Sequence, residues 1–266
     1  MKKRFNFSIN SIVLIGVFLI FASSCEKDEE ITKEESGSFT DARDGNIYQT
    51  VTIGNQVWMA EDLRATHYVD GRPVPLANNG RISSASSAAD EGVNGDARIA
   101  SNVIFYTWDA AMNGEESSNI NPSRVQGVCP EGWHLPSDAE WTAMERSLAN
   151  NGYNYDGTLG GERDKIAKSM ASTTGWASST IEGAVGNFDY PEFRNKSGFS
   201  AQPNGFIKVF DSSLDGIGEF SYWWSSTAVD NYEHNAFYRA LSHRLSQVYR
   251  ASYFKDSGHC VRCLKD

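Results

Sequence analysis

The sequence predicts an α+β domain, because helix and strand patterns occupy separate stretches of one chain. A helix-start signal followed by an apolar stripe predicts a helix that begins after Ser137. Strict alternation of side chains in NAFYRAL (235–241) predicts a strand in the carboxyl-terminal third. The 266 residues are enough to bury a sizeable core, and the absence of a second linker favours one domain.

The segment CPEGWHLPSDAEW, from Cys129 to Trp141, combines a rigid turn with a helix start. Pro130 and Pro136 restrict their own φ angles and those of the preceding residues, which predicts a short strand or turn between them. Ser137 is a favoured N-cap, and a glutamate three residues later completes a capping box.

The predicted helix has one apolar face. Trp141, Met144 and Leu148 follow at i, i+3 and i+7 and are expected to face the core. The same periodicity directs Glu145 and Arg146 toward water.

A second short amphipathic helix is predicted within GERDKIAKSMAS (161–172), because Ile166 and Met170 are four residues apart. Its other faces hold Lys165 and Lys168. The aromatic residues expected to close it onto the core are Trp176 and Phe188. A segment rich in Ser, Ala, Asn and Gly, from Asn78 to Asn102, predicts a long surface loop.

The carboxyl-terminal third contains the best candidate for ligand recognition. The strand NAFYRAL is expected to pair with VYRASYF (248–254), while Trp223 and Trp224 are expected in the core. Tyr and His side chains expose flat amphipathic area at low entropic cost, as binding surfaces do. The candidate ligand-binding set is Tyr232, His234, His243, Arg244, Tyr249, Tyr253 and Lys255.

The amino terminus resembles a lipoprotein signal peptide. Three basic residues precede an apolar run from Ile12 to Ala22 that is too short to span a bilayer comfortably, and small residues then lead to Cys25. We expect lipidation of Cys25. Ordinary secretion, with cleavage after a small-residue motif, is the alternative.

The acidic run Glu26–Glu30 resembles the export signal that sends lipoproteins of the Bacteroidota type to the outer face of the outer membrane. A solvated acidic linker is the alternative. The expected organisation is therefore a signal peptide over 1–24, an acidic flexible tether over 25–40 and a domain over 41–266. We expect the protein to be lipid-anchored in the outer membrane and exposed on the cell surface, with the lipid as its only membrane contact.

Charge and cysteine content narrow the possible partners. Removal of the three basic signal residues leaves 24 − 3 = 21 basic against 34 acidic residues, a formal charge of −13, which argues against nucleic acid as a partner. With Cys25 lipidated, Cys129, Cys260 and Cys263 remain, so one cannot be paired in an oxidising compartment. A redox or metal site built from His259 and the two nearby cysteines is the alternative.

Together with the segment described above, DGNIYQTVTIGNQVWMAEDL, FYTWDAAMNG and the tail from YWWSST to VRCLKD resemble a Fibrobacter succinogenes major paralogous domain from about Asp41 to Asp266. The resemblance implies a C-type-lectin-like fold, with two short helices flanking a small twisted antiparallel sheet and long loops. In the family's terminal G-F-S-V-R-C pattern, Cys263 occupies the cysteine position and Cys260 replaces the serine. The resemblance therefore implies a Cys129–Cys263 disulfide.

The lectin-like resemblance also raises the possibility of a calcium site. Gln202-Pro203-Asn204 is similar to the triplet that binds calcium and sugar in true C-type lectins, but no W-N-D triplet follows. We expect no cofactor. Gln202 and Asn204 are the candidate ligands for the alternative, a bound calcium ion.

These features indicate a surface lipoprotein whose lectin-like domain binds an extracellular glycan, a fibre or another cell's surface. LPSDAEW also resembles a segment of formylglycine-generating enzymes, so an enzyme on that scaffold with altered chemistry is one alternative, although the catalytic cysteine pair is not matched. A structural or adhesin subunit is another. A third is a binding protein for protein ligands, because Tyr249 to Ser257 is similar to the variable surface of retroelement-diversified proteins. No catalytic residues are predicted.

Overall fold

The computed structural model describes residues 36–75, 83–84 and 103–266. This part is α+β with mainly antiparallel strands and few helices, as predicted, and it belongs to one contact unit spanning 34–266. The expected signal peptide, Cys25 and residues 26–35 lie outside the described residues. No helix in the described part is both long and apolar enough to cross a membrane.

The largest sheet has five antiparallel strands. In spatial order they are β1 (Ser36–Thr40), β2 (Ile47–Ile53), β3 (Gln56–Met59), β12 (Leu264–Lys265) and β6 (Trp133–His134). The predicted tether extended to residue 40, but Ser36–Thr40 pair with β2 and belong to the sheet. Phe39 explains the difference, since its ring stacks 4.4 Å from Trp133 and 5.4 Å from Tyr48.

A second, three-stranded sheet consists of β9 (Phe220–Val229), β10 (Tyr232–Ser242) and β11 (Tyr249–Phe254), with β10 in the centre. The predicted pairing of NAFYRAL with VYRASYF is confirmed. The described part also contains two small hairpin-like pairs. These are β4 (Ser83–Ser84) with β5 (Ile104–Phe105), and β7 (Phe206–Ile207) with β8 (Leu214–Asp215). The rest of the predicted loop over 78–102 lies outside the described residues.

The described part has three α-helices, rather than two: α1 (Trp108–Met112), α2 (Asp138–Asn150) and α3 (Ala167–Met170), with a 3₁₀ turn at Pro191–Phe193. The predicted capping box is present at the start of α2, where Ser137 and Glu140 exchange hydrogen bonds. Trp141, Met144 and Leu148 are buried, as predicted.

The prediction that Glu145 faces water is wrong. Its side chain is fully buried, because Arg239 of β10 and Arg163 reach its carboxylate from elements that the helical pattern does not include.

The second helix is shorter than the pattern predicted, with four residues in α3. Lys168 is fully buried, because its ammonium donates to the backbone oxygens of Asn187 and Asp189 and to the Asp189 carboxylate. Trp176 packs half-buried against the core, but Phe188 is 83% exposed, contrary to expectation.

A disulfide joins Cys129 to Cys263, 134 residues apart, which confirms the implied pairing. Cys260 is free and buried. The three-stranded sheet separates two hydrophobic clusters: Trp224 and Tyr238 contribute to one, whereas Trp223 and Leu241 contribute to the other. Both tryptophans are fully buried, as expected.

Candidate ligand-binding face

Four tyrosines lie on one face of the three-stranded sheet, which we call the tyrosine face: Tyr222 in β9, Tyr238 in β10, and Tyr249 and Tyr253 in β11. Ala240 pairs with Tyr222 on one side and with Tyr249 on the other. Directly paired residues project to the same face, as do residues two apart along a strand. Tyr238 and Tyr253, which is paired with Ala236, therefore join the same face.

The tyrosine rings are neighbours. The ring centroids of Tyr222 and Tyr238 are 5.3 Å apart, and those of Tyr238 and Tyr249 are 6.4 Å apart. Tyr249 is 45% exposed, Tyr222 and Tyr253 are half-buried, and Tyr238 is 8% exposed. Because the residues paired with these tyrosines include small alanines, the tyrosine rings are the side chains that project most from this surface.

The hydroxyl groups on this face are not used by the described part of the protein. The hydroxyls of Tyr222, Tyr238, Tyr249 and Tyr253 make no hydrogen bond there. None of these oxygens is among the fully buried polar atoms that lack a partner. Burial raises the pKa of Tyr222 to about 12 and raises that of Tyr238 as well. These two hydroxyls therefore remain protonated, and each can donate and accept hydrogen bonds.

His259 lies beneath these rings. It is fully buried, and its ring stacks 4.0 Å from Trp224 and lies 5.1 Å from Tyr222 and 5.2 Å from Tyr238. Burial lowers its pKa to about 3, so the imidazole is neutral at physiological pH. Its Nδ1 has no hydrogen-bond partner in the described structure.

The protonation of His259 follows from Ser257. The Ser257 hydroxyl donates to the Phe254 carbonyl at 3.0 Å, so toward His259 Nε2, 3.2 Å away, it can only accept. Nε2 therefore carries the proton, and Nδ1 is an unpaired acceptor among the aromatic rings.

The opposite face of the sheet is anchored to α2 by buried charges. Arg239 of β10 donates to Asp138 at 2.6 Å and to Glu145 at 2.5 Å, and Arg250 of β11 donates to Asp138 at 2.7 Å. Burial alone would raise the pKa of Asp138, but the two guanidinium groups hold it below its usual value. The strands that carry the tyrosines are thus fixed to a helix.

One end of the tyrosine face is covered by α1. Its first residue, Trp108, donates its indole N–H to the Ser225 carbonyl of β9 at 2.8 Å. The Lys255 ammonium lies 4.3 Å from the centroid of the Trp108 ring, so Lys255 is engaged in a cation–π contact at this end.

The structure brings together only part of the predicted ligand-binding set. Tyr249 and Tyr253 are on the tyrosine face. Tyr232 is 68% exposed and the His234 side chain is 82% exposed, both near the start of β10. Lys255 is half-buried against Trp108.

The expectation that His243 is exposed is wrong. It is 4% exposed, because β10 continues to Ser242 and the following turn packs the imidazole beside the Glu219 carbonyl and the Phe220 ring. Arg244 is exposed but donates from Nε to His243 Nε2 at 3.1 Å.

Sequence reasoning missed Tyr222, Tyr238 and His259. In NAFYRAL, Ala236, Tyr238 and Ala240 share one side of the strand. Alternation alone does not say whether that side carries the other tyrosines. The pairing of Ala240 with Tyr249 supplies that information.

The candidate calcium ligands do not face one another. Gln202 is exposed, whereas Asn204 is buried and donates to the Asp62 carboxylate at 2.7 Å. Cys263 is held in the disulfide, which removes it from the alternative site with His259 and Cys260. No group of three or more His, Cys, Asp or Glu side chains suited to a metal occurs in the part of the chain that the structure describes.

The chain matches a known protein family. The model of a family described as the Fibrobacter succinogenes major domain matches residues 51–265. No curated protein and no solved structure matches the chain.

Proposed function

We propose that this chain, which belongs to the Fibrobacter succinogenes major domain family, is a lipid-anchored surface protein that binds an extracellular glycan through its tyrosine face. The observation that supports this function best is the group of neighbouring tyrosine rings whose hydroxyls have no partner in the described part. The α+β arrangement around the three-stranded sheet is consistent with the C-type-lectin-like fold, which we include in the proposal.

The chemistry of the tyrosine face matches that of sugars. A sugar ring has an apolar face of C–H groups, which an aromatic ring can stack on, and a rim of hydroxyls that need hydrogen-bond partners. Tyr222, Tyr238, Tyr249 and Tyr253 offer both, and the buried His259 ring supports them from beneath. A binding site needs these groups held in place. The buried contacts of Arg239 with α2 hold the central strand of this sheet in place.

The proposed location is supported by the disulfide, since such bonds persist mainly outside the cytoplasm. Metabolic labelling with an alkyne fatty acid should modify the wild-type protein and not Cys25→Ser. Protease added to intact cells should digest the wild-type protein. Its protection in intact cells would contradict surface exposure.

The binding function can be tested with a glycan and polysaccharide panel, with and without a chelator. The full chain would be kept in a detergent whose headgroup contains no sugar. We expect chelator-resistant binding that Tyr249→Ala and Tyr253→Ala each weaken by about tenfold, or roughly 1.4 kcal/mol. Phe188→Ala, which removes an 83% exposed ring elsewhere, is the matched control and should bind normally.

Other outcomes would contradict the proposal in different ways. Binding that is lost on chelation would contradict the proposed metal-independent recognition and would require a metal site other than the separated Gln202 and Asn204. Failure to bind any glycan would reject carbohydrate as the ligand and would direct the search to protein partners.

A further inference from the structure

We infer that the tyrosine face binds a single, uncharged glycan chain several sugars long, rather than the flat surface of a crystalline polysaccharide. This inference rests on the proposed function and specifies its ligand class. Three features support it: the length of the row of rings, the tilt between those rings, and the charges beside them.

The aromatic surface extends beyond the four tyrosines. Phe210, which is 85% exposed between β7 and β8, contacts Phe254 with a centroid distance of 6.2 Å, and Phe254 lies 5.4 Å from Tyr253. From Tyr253, ring contacts of 5.2–6.5 Å pass through the buried His259 and Tyr238 and return to Tyr249 on the same strand. The aromatic row on the surface therefore comprises Phe210, Phe254, Tyr253 and Tyr249, with His259 and Tyr238 beneath it.

A row of this length is more than one sugar needs. Tyr249 and Tyr253 lie four residues apart on β11, which separates them by about 13 Å along the strand, and Phe254 and Phe210 extend the row further. His259 is buried under the row, while its outer members are exposed or half-buried, so contact with a ligand is available at both ends. The geometry therefore favours an oligomer over a monosaccharide.

The rings do not share a plane. Tyr222 and Tyr238 are tilted by 49°, Tyr238 and Tyr249 by 45°, and Phe210 and Phe254 by 72°. A rigid, flat crystal face could lie parallel to one of these rings but not to its neighbours. A single chain can rotate about each glycosidic linkage and present successive sugars to differently tilted rings.

The charges near the row do not favour a polyanion. Lys208, between β7 and β8, lies 3.8 Å from Asp211 and 3.5 Å from Asp215, so its charge is countered within the hairpin. Lys255 is occupied by the Trp108 ring. With 34 acidic and 24 basic residues in the whole chain, a glycan rich in carboxylates would be repelled.

The test compares soluble chains with an insoluble crystal. The probes are cello-, xylo- and manno-oligosaccharides from disaccharide to hexasaccharide, microcrystalline cellulose, and polygalacturonate, each with the full chain in sugar-free detergent. We expect at least one neutral series to gain about tenfold or more in affinity from disaccharide to hexasaccharide. Retention on microcrystalline cellulose and binding to polygalacturonate should both be absent.

Phe210→Ala tests the length of the row directly. Because Phe210 is 85% exposed, its removal should leave folding intact. The variant should weaken hexasaccharide binding and leave disaccharide binding unchanged, while Phe188→Ala should change neither.

The outcomes distinguish a failure of this inference from a failure of the proposed glycan-binding function on which it rests. Binding to the crystal or to polygalacturonate in preference to the soluble neutral chains would overturn the inference and leave glycan binding intact. Equal loss for short and long chains in Phe210→Ala would overturn the extended row. Failure of every glycan to bind would contradict the proposed function itself.

Discussion

Arg239 and Glu145 form an ion pair of 2.5 Å in which neither side chain is exposed to solvent. The pair joins the central strand β10 to helix α2, on the side of the sheet opposite the tyrosine face. Arg239 also contacts Asp138, which in turn holds Arg250 of β11. The geometry of the tyrosine face therefore depends on charges buried behind the sheet.

Glu145→Gln should destabilise the domain by about 3–5 kcal/mol, because it removes one of the two carboxylates that pair with the buried Arg239 guanidinium and breaks the fully buried ion pair. Urea unfolding monitored by tryptophan fluorescence measures this loss. Glu162→Gln is the matched control, since Glu162 is 50% exposed and its pair with Arg146 should contribute less than about 1 kcal/mol. Equal effects of the two variants would contradict the importance of the buried pair.

His134 should make stability depend on pH. Its ring nitrogens lie 2.7 Å from Asp266 and 2.9 Å from Glu140; burial alone would lower its pKa, but these hydrogen bonds raise it above the usual value. The stabilisation should be complete below the unfolded-state pKa of about 6.5 and should be lost as pH rises through the raised pKa.

Urea unfolding at a series of pH values would measure that slope. His134→Asn should reduce it, whereas His67→Gln, at an exposed position, should retain it. An unchanged slope in the His134 variant would show that other groups cause the dependence.

Removal of the disulfide should cost about 4–5 kcal/mol in the chain-entropy model, because Cys129 and Cys263 close a loop of 134 residues. The double variant Cys129→Ala/Cys263→Ala, compared with the wild type by denaturant unfolding, measures this cost. A loss below about 1 kcal/mol would contradict a large stabilising role for the bridge.

The thiol of Cys260 should not react with iodoacetamide in the folded protein. It is fully buried, and burial, followed by the nearby Asp62 carboxylate, raises its pKa. Mass spectrometry should detect alkylation of Cys260 only after unfolding, with Cys129 and Cys263 protected unless reductant is added. Rapid labelling of the native protein would show that the thiol is accessible.

His259 should be neutral, with its proton on Nε2, from pH 7 down to about pH 4. Imidazole ¹⁵N chemical shifts distinguish this tautomer from the alternative. Because His259→Phe keeps a ring at this position and removes the buried, unpaired Nδ1, the variant should fold. A proton on Nδ1 would contradict the role assigned to Ser257.

The sequence predicted the features that depend on neighbouring residues. The capping box of Ser137 and Glu140 is confirmed because both partners lie within one turn. The pairing of β10 with β11 followed from alternation over a short stretch. The disulfide was implied by family resemblance, since three cysteines alone did not select a pair.

The errors arose where distant contacts decide the outcome. Glu145 has a partner 94 residues away in Arg239, so helical periodicity placed it in water. His243 was predicted to lie on the surface because histidine side chains suit binding loops. The end of β10 buries it instead. Recognition of Tyr222 as a neighbour of Tyr238 required the register of β9, which is shifted by irregularities between Tyr232 and Tyr238.

The disulfide also determines how the protein would respond to mechanical load. If a ligand on the tyrosine face pulls against an anchor at the amino terminus, the bridge between Cys129 and Cys263 prevents the enclosed chain from being drawn out through its ends. Most of the extension released under tension would come from the chain before Cys129, beginning with the edge strand β1 (Ser36–Thr40). Inside the bridged loop, the short stretch from Tyr253 to Cys263 limits how far the tyrosine strands can be drawn from the bridge.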